Sequence, residues 1–296
     1  MGGIDRSCFL QTIALRVFDA RRRGRCAQCG GRAMPFATVG DVKINYTIQG
    51  SGDWLVLIGG YASGNWQAWG NNIAEFAKRY KVLAFDNRGI GESDVPDYPY
   101  TTLMMARDTI GLMDHLGIER AHFFGKSLGG NIGQWVALEA PERVRSLVAT
   151  STSAKPETRR NNMVKWWMAT AQDAGYAKLF PGLMTYFYTA EYYDANVEAI
   201  DRTVQALIAV KRPIKGFLHM GDSILTHDTW DRIGEIKAPT LLMGGEEDII
   251  TPPRHMQEMA KRMPNAEARI FPKTLHGFLV ENPASFAMIP EFFAAH

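Results

Sequence analysis

Gly125-Lys126-Ser127-Leu128-Gly129 sets one serine between two glycines at the spacing G-x-S-x-G. A serine hydroxyl is a poor nucleophile until a base takes its proton. The motif therefore carries chemistry only if a base and an orienting acid are brought to it. Its setting favours that outcome. It follows the apolar run Ala121 to Phe124 and opens a helical stretch from Leu128 to Ala140. A strand, a sharp turn and a helix in that order lift a serine above the edge of a sheet. The glycines are needed because a β-carbon at so tight a turn would strike the backbone. The first N–H groups of the following helix lack intrahelical partners, so they are available to a developing oxyanion.

Seven histidines compete for the role of base. His276 lies in Lys273-Thr274-Leu275-His276-Gly277-Phe278, just past the strand-like Arg269-Ile270-Phe271. Open α/β sheets build their sites at the carboxyl ends of their strands, which selects His276. His255, after Pro252-Pro253 at a helix start, is its rival. His115 falls on a helix, His122 inside a strand, and His219, His227 and His296 near no strand end. The orienting acid should come from a further strand end. Asp248 follows Thr240-Leu241-Leu242-Met243 and Gly244-Gly245, with Glu246 and Glu247 as alternatives that read as solvated loop charges. Lys126 offers two readings: a cation facing an anionic substrate or the base, or a rim side chain paired with a nearby acid. The second is expected, since surface pairs are common and cheap.

These positions need a scaffold, and the pattern from Met34 onward supplies one. Val42 to Ile48 alternates like a half-exposed strand and stops at Gly50-Ser51-Gly52. Trp54 to Ile58 and Lys81 to Phe85 are unbroken apolar runs, as in strands buried on both faces. Val144 to Val148, Thr240 to Met243 and Arg269 to Phe271 continue the set. Helical spacing separates them at Trp66 to Tyr80, Thr102 to Leu116, Leu128 to Ala140 and Ala284 to Phe293. Strands alternating with helices imply βαβ units and a mostly parallel sheet, so the fold class is α/β. The rhythm breaks from about Thr152 to Ile236, an aromatic-rich helical stretch that reads as an inserted cap. The expected organisation is a core of residues 34–151 and 237–296, a cap of residues 152–236, and an extension of residues 1–33.

The extension differs in composition from the rest. It holds Cys8, Cys26 and Cys29, the only cysteines, and is rich in arginine. A zinc site would need four ligands, and no histidine lies there. A targeting peptide stays open, because Phe9 to Phe18 is loosely amphipathic. A disordered extension, ahead of a start at Met34, is the preferred expectation. The whole chain is 46% hydrophobic and 22% charged with a net charge of +2, ordinary values for a globular protein. So small a charge gives no reason to expect nucleic acid or an anionic membrane as a partner. No apolar run reaches the roughly 20 residues of a membrane span. A cytoplasmic protein is expected. The stretch Asp86 to Asp94 lacks the spacing of a calcium loop, and neither a metal nor an organic cofactor is expected.

The order serine, acid, histidine, together with Ile58-Gly59-Gly60-Tyr61 and Asp86-Asn87-Arg88-Gly89-Ile90-Gly91-Glu92-Ser93, resembles the α/β-hydrolase superfamily over Val42 to Phe293. The resemblance implies an eight-stranded sheet with an inserted helical cap. It implies Ser127, Asp248 and His276 as a catalytic triad. It also implies an oxyanion hole from the N–H groups of Leu128 and Tyr61. Members commonly carry His-Gly where this chain has Gly59-Gly60, a departure at the loop that bears Tyr61. Gly130-Asn131-Ile132-Gly133-Gln134-Trp135 and Pro141-Glu142-Arg143-Val144 further resemble 3-oxoadipate enol-lactonases and related small-ester hydrolases. The activity so implied is hydrolysis of a small ester or lactone through an acyl-enzyme. Carbon–carbon bond hydrolysis or cofactor-free perhydrolysis by the same triad is the chemical rival, and a catalytically silent ligand-binding member the other.

Overall fold

The computed structural model describes residues 35–63 and 65–296. The three cysteines and the expectations for residues 1–33 lie outside that range.

Eight strands form one sheet: β1 (Phe36–Val39), β2 (Val42–Gln49), β3 (Trp54–Ile58), β4 (Lys81–Phe85), β5 (Ala121–Lys126), β6 (Val144–Thr150), β7 (Thr240–Gly245) and β8 (Ala266–Phe271). Their order across the sheet is β1-β2-β4-β3-β5-β6-β7-β8. The pairs β1–β2 and β2–β4 are antiparallel, and all others are parallel. The strands from β3 to β8 therefore end on one edge, and their following loops gather there.

The apolar runs sort by face as a period of two requires. In β3, Val56 and Ile58 join the cluster containing Phe123, Leu147 and Leu242. Leu55 and Leu57 join the cluster containing Phe124, Val148 and Leu241 on the opposite face. Among the described residues, the helices are α1 (Asn71–Phe76), α2 (Thr102–His115), α3 (Leu128–Glu139), α4 (Thr158–Ala174), α5 (Tyr176–Met184), α6 (Ala190–Ala195), α7 (Val197–Ala209), α8 (Ile214–Leu225), α9 (Arg254–Arg262), α10 (Phe278–Glu281) and α11 (Pro283–Ala294). Met105 and Leu112 of α2 and Ile132 and Val136 of α3 cover the first face. Ile73 and Phe76 of α1, Phe278 of α10 and Ile289 and Phe293 of α11 cover the second. Burying such side chains contributes about 1.5–3 kcal/mol each. The layering is thus set by which alternate residues of each strand are apolar on both sides.

The chain from β6 to β7, expected as an inserted helical segment, holds α4 to α8 and no strand. The eight strands are the number that the resemblance implies; the residue patterns marked seven of them, and the eighth is β1. It pairs with β2 in register Val39↔Val42 across the two-residue turn Gly40-Asp41. β8 begins at Ala266 rather than at Arg269. It is an edge strand whose residues are only partly covered, so no continuous apolar run marks its start.

Candidate functional site

The turn after β5 bends because its two glycines permit it. A β-carbon on Gly125 would overlap the backbone at Gly129, and one on Gly129 would overlap the carbonyl of Ile58. Helix α3 can therefore start directly against the end of β3. Ser127 is held at φ 51°, ψ −113°, a conformation unusual for a residue with a side chain. Such backbone strain costs on the order of 1–3 kcal/mol and persists only where the surroundings enforce it. Here the Ser127 N–H donates to Thr150 O at 2.7 Å, tying the turn to the end of β6.

His276 follows β8, and its ring reaches back to the turn. Nε2 lies 3.2 Å from Ser127 Oγ, and Nδ1 lies 2.7 Å from Asp248 Oδ2. Asp248 follows β7 and is buried, with Oδ1 accepting from the N–H groups of Ile250 at 2.8 Å and Thr251 at 2.9 Å. The Thr251 hydroxyl donates to Oδ2 at 2.8 Å. Burial alone would push this carboxyl up. The adjacent His276 ring and the Thr251 donors outweigh it and hold the carboxyl below the usual carboxylate range. Asp248 thus accepts at both oxygens, leaving Nδ1 of His276 as the donor and Nε2 free to face the serine. The ring edge also packs against Phe187 at a centroid distance of 4.9 Å, and Phe187 O accepts from the Gly277 N–H at 2.8 Å.

Two loops complete the surroundings. The Tyr61 and Leu128 N–H groups donate to no protein acceptor among the described residues. Gly60 lies against the turn, where an added β-carbon would stand 3.1 Å from Lys126 O and 3.5 Å from Ser127 Cβ. The Tyr61 ring stacks on Phe217 of α8 at 4.3 Å.

The rival assignments separate cleanly. His255 Nε2 lies 2.6 Å from Glu157 Oε2, which occupies it away from Ser127. His122 pairs with Ser146 Oγ and is pushed down to about 4 by burial. His227 lies between Thr102 Oγ1 and Ser153 O, and burial takes it down to about 3. Glu246 accepts from the Lys273 N–H and is exposed, as read for a loop charge. Lys126 departs from expectation. Its ammonium has no acid partner among the described residues and stacks over Trp69, 4.1 Å from the ring centroid, with Phe124 at 5.8 Å. Burial against these rings pushes it down to about 8. The strand pleat decides this, turning Lys126 to the face opposite α3, among apolar side chains that include Trp69 and Phe124.

Sequence reasoning missed Thr251, and also Ser151, whose hydroxyl donates to the His276 carbonyl at 3.2 Å. The Asp-x-x-Thr spacing, typical of a side chain capping its own turn, is the signal that would have found Thr251. Among the described residues no group of three or more His, Cys, Asp or Glu side chains is placed to hold a metal ion, and no helix is long and apolar enough to cross a membrane.

Known proteins resemble this chain in sequence and in fold. The family model described as alpha/beta hydrolase fold matches residues 53–283. A 3-oxoadipate enol-lactonase of Acinetobacter baylyi is 28% identical over 253 residues, covering 84% of this chain and 92% of its own length. A protein of Azorhizobium caulinodans, provisionally named the carbamate hydrolase RutD, is 28% identical over 256 residues, covering 86% and 95%. The crystal structure of an enol-lactonase from Burkholderia xenovorans LB400 superposes with a TM-score of 0.80 at 24% identity, covering 88% of this chain and 100% of that one, a likeness of fold.

Proposed function

The chain belongs to the α/β-hydrolase fold family, and from that premise we propose that it is a serine hydrolase that cleaves a carboxylic ester or lactone through an acyl-enzyme. The observation that carries this reading is the continuous line from Asp248 Oδ2 through His276 to Ser127 Oγ, at 2.7 and 3.2 Å. His276 takes the Ser127 proton as Oγ attacks the substrate carbonyl, and returns it to the departing alcohol oxygen. Asp248 holds the ring in the tautomer that donates from Nδ1 and stabilises the imidazolium. The N–H groups of Leu128 and Tyr61 receive the oxyanion. Water then attacks the acyl carbonyl, with His276 as base, and Ser127 leaves with its proton restored. A substrate of the lactone class accords with the enol-lactonase relative.

Two assays test this. A fluorophosphonate probe should label the wild-type protein and fail on Ser127→Ala. A panel of p-nitrophenyl esters, lactones, carbamates and ring-cleavage products should show ester or lactone turnover that falls by several orders of magnitude in Ser127→Ala. Turnover confined to ring-cleavage products would replace ester hydrolysis by carbon–carbon bond hydrolysis. An unlabelled wild-type protein would remove the serine mechanism altogether.

A further inference from the structure

Arg212 lies between α7 and α8 and is 5% exposed. A guanidinium so buried is costly unless an opposite charge or a set of acceptors meets it. Here the acceptors are two main-chain carbonyls. Nη1 donates to Leu207 O at 3.0 Å and Nη2 to Ala62 O at 2.6 Å. Nε has no partner and no carboxylate pairs with the group among the described residues. Its faces lie over Phe180 and Tyr176, 4.9 and 5.2 Å from the ring centroids, so the helices between β6 and β7 set its direction. An unneutralised buried cation is therefore aimed at one carbonyl of the loop after β3.

That loop contains Gly59-Gly60, the residue type with most conformational freedom to lose. Gly60 is held tightly against the serine turn, where an added β-carbon would stand 3.1 Å from Lys126 O. Order must be imposed from outside, and two side chains do so. Asn87 Nδ2 donates to Gly59 O at 3.2 Å, and Arg212 holds Ala62 O. Together they bracket Tyr61. The same segment is seated on the loop after β4, where the Gly91 N–H donates to Lys211 O at 2.9 Å.

We propose that Arg212 is a positioning residue: by holding the Ala62 carbonyl it aims the Tyr61 N–H at the developing oxyanion, so that turnover requires this part of the helical segment to be seated on the core. The proposal rests on the roles given above to Ser127 and Tyr61. An oxyanion donor is effective only if oriented before the charge develops. A donor held loosely therefore costs kcat and leaves substrate binding nearly unchanged.

The full chain is assayed with p-nitrophenyl acetate, which carries no carboxylate, and with a trifluoromethyl ketone whose serine adduct presents an oxyanion. Arg212→Ala should lower kcat about 10–100-fold, a part of what a whole oxyanion donor contributes, with KM changed by less than about threefold. Affinity for the ketone should fall by the same factor as kcat/KM. Arg212→Lys should recover part of the loss, since an ammonium can reach the same carbonyl. Should Arg212→Ala not fold, Arg212→Lys and Asn87→Ala carry the test, and both should show the same split between kcat and KM. An unchanged kcat overturns the proposal. So does a raised KM at constant kcat, which would make Arg212 a substrate contact, and so does a loss that follows melting temperature while the ketone binds normally. If the wild-type protein resists fluorophosphonate and Ser127→Ala keeps full turnover, the underlying reading has failed and takes this proposal with it.

Discussion

Thr251 grips both oxygens of Asp248, its N–H on Oδ1 at 2.9 Å and its hydroxyl on Oδ2 at 2.8 Å. The carboxyl that this grip helps hold down has a folded pKa below its unfolded value of about 3.9. The associated stability is then fully present above pH of about 4 and is lost as pH falls through the folded value. Thr251→Val keeps the shape and removes the hydroxyl. It should move the acid-unfolding midpoint to higher pH and cost about 1.5–3 kcal/mol at neutral pH, the range for a hydrogen bond to a charged group. Circular dichroism against pH measures both, and an unmoved midpoint would count against the assigned role of the hydroxyl.

Ser127 occupies a backbone region that glycine enters without strain. Ser127→Gly should therefore abolish turnover and yet raise stability by about 1 kcal/mol, the strain released less the extra freedom glycine gains when unfolded. Ser127→Ala keeps the strain and should show no such gain. Equilibrium denaturation of the two variants side by side decides the matter. Equal stabilities would mean that the turn stores no strain.

Glycines that look alike in the sequence should behave oppositely. A β-carbon on Gly129 would overlap the Ile58 carbonyl, main chain that cannot yield, whereas one on Gly182 in α5 meets nothing within 4 Å. Gly129→Ala should prevent normal folding or cost several kcal/mol, by analogy with overpacked sites. Gly182→Ala should stabilise by about 0.5–1 kcal/mol through helix propensity. Melting temperatures of the two variants provide the comparison, and a well-folded Gly129→Ala enzyme would contradict the packing described.

Lys126 titrates near 8 when folded, and near 10.4 when exposed in an unfolded chain. Between those values the unfolded chain binds a proton that the folded one does not, so stability from this group rises with pH across about 8 to 10. Lys126→Met should flatten that rise while leaving neutral-pH turnover within about twofold, because the ammonium faces Trp69 and not the serine. Melting temperature as a function of pH, compared between the two proteins, reads the difference. A fall in turnover with no change in the pH profile would instead return Lys126 to the reaction.

Much of the protein could be read along the chain. Two-sided apolar runs identified β3, β4, β5 and β7 because burial on both faces leaves no polar alternation. Ser127 stood out because a sharp turn needs glycines at fixed offsets, which is a local demand. β1 was missed although Gly40-Asp41 is a two-residue hairpin signal, because a four-residue strand with two exposed positions carries little apolar weight. The sequence favoured His276 over its rival His255 because His276 follows a strand end, and in space Glu157 engages His255.

The residue types themselves thus determined the alternation of strands and helices, the serine turn and the candidates to serve it, all of which obey rules acting over a few neighbouring positions. Tertiary structure brought the favoured imidazole to a hydroxyl 149 positions away, and it alone decided that Lys126 lies on an indole and that Arg212 reaches a carbonyl 150 positions before it. Local periodicity records whether a side chain is buried; what it is buried against depends on how distant segments cross.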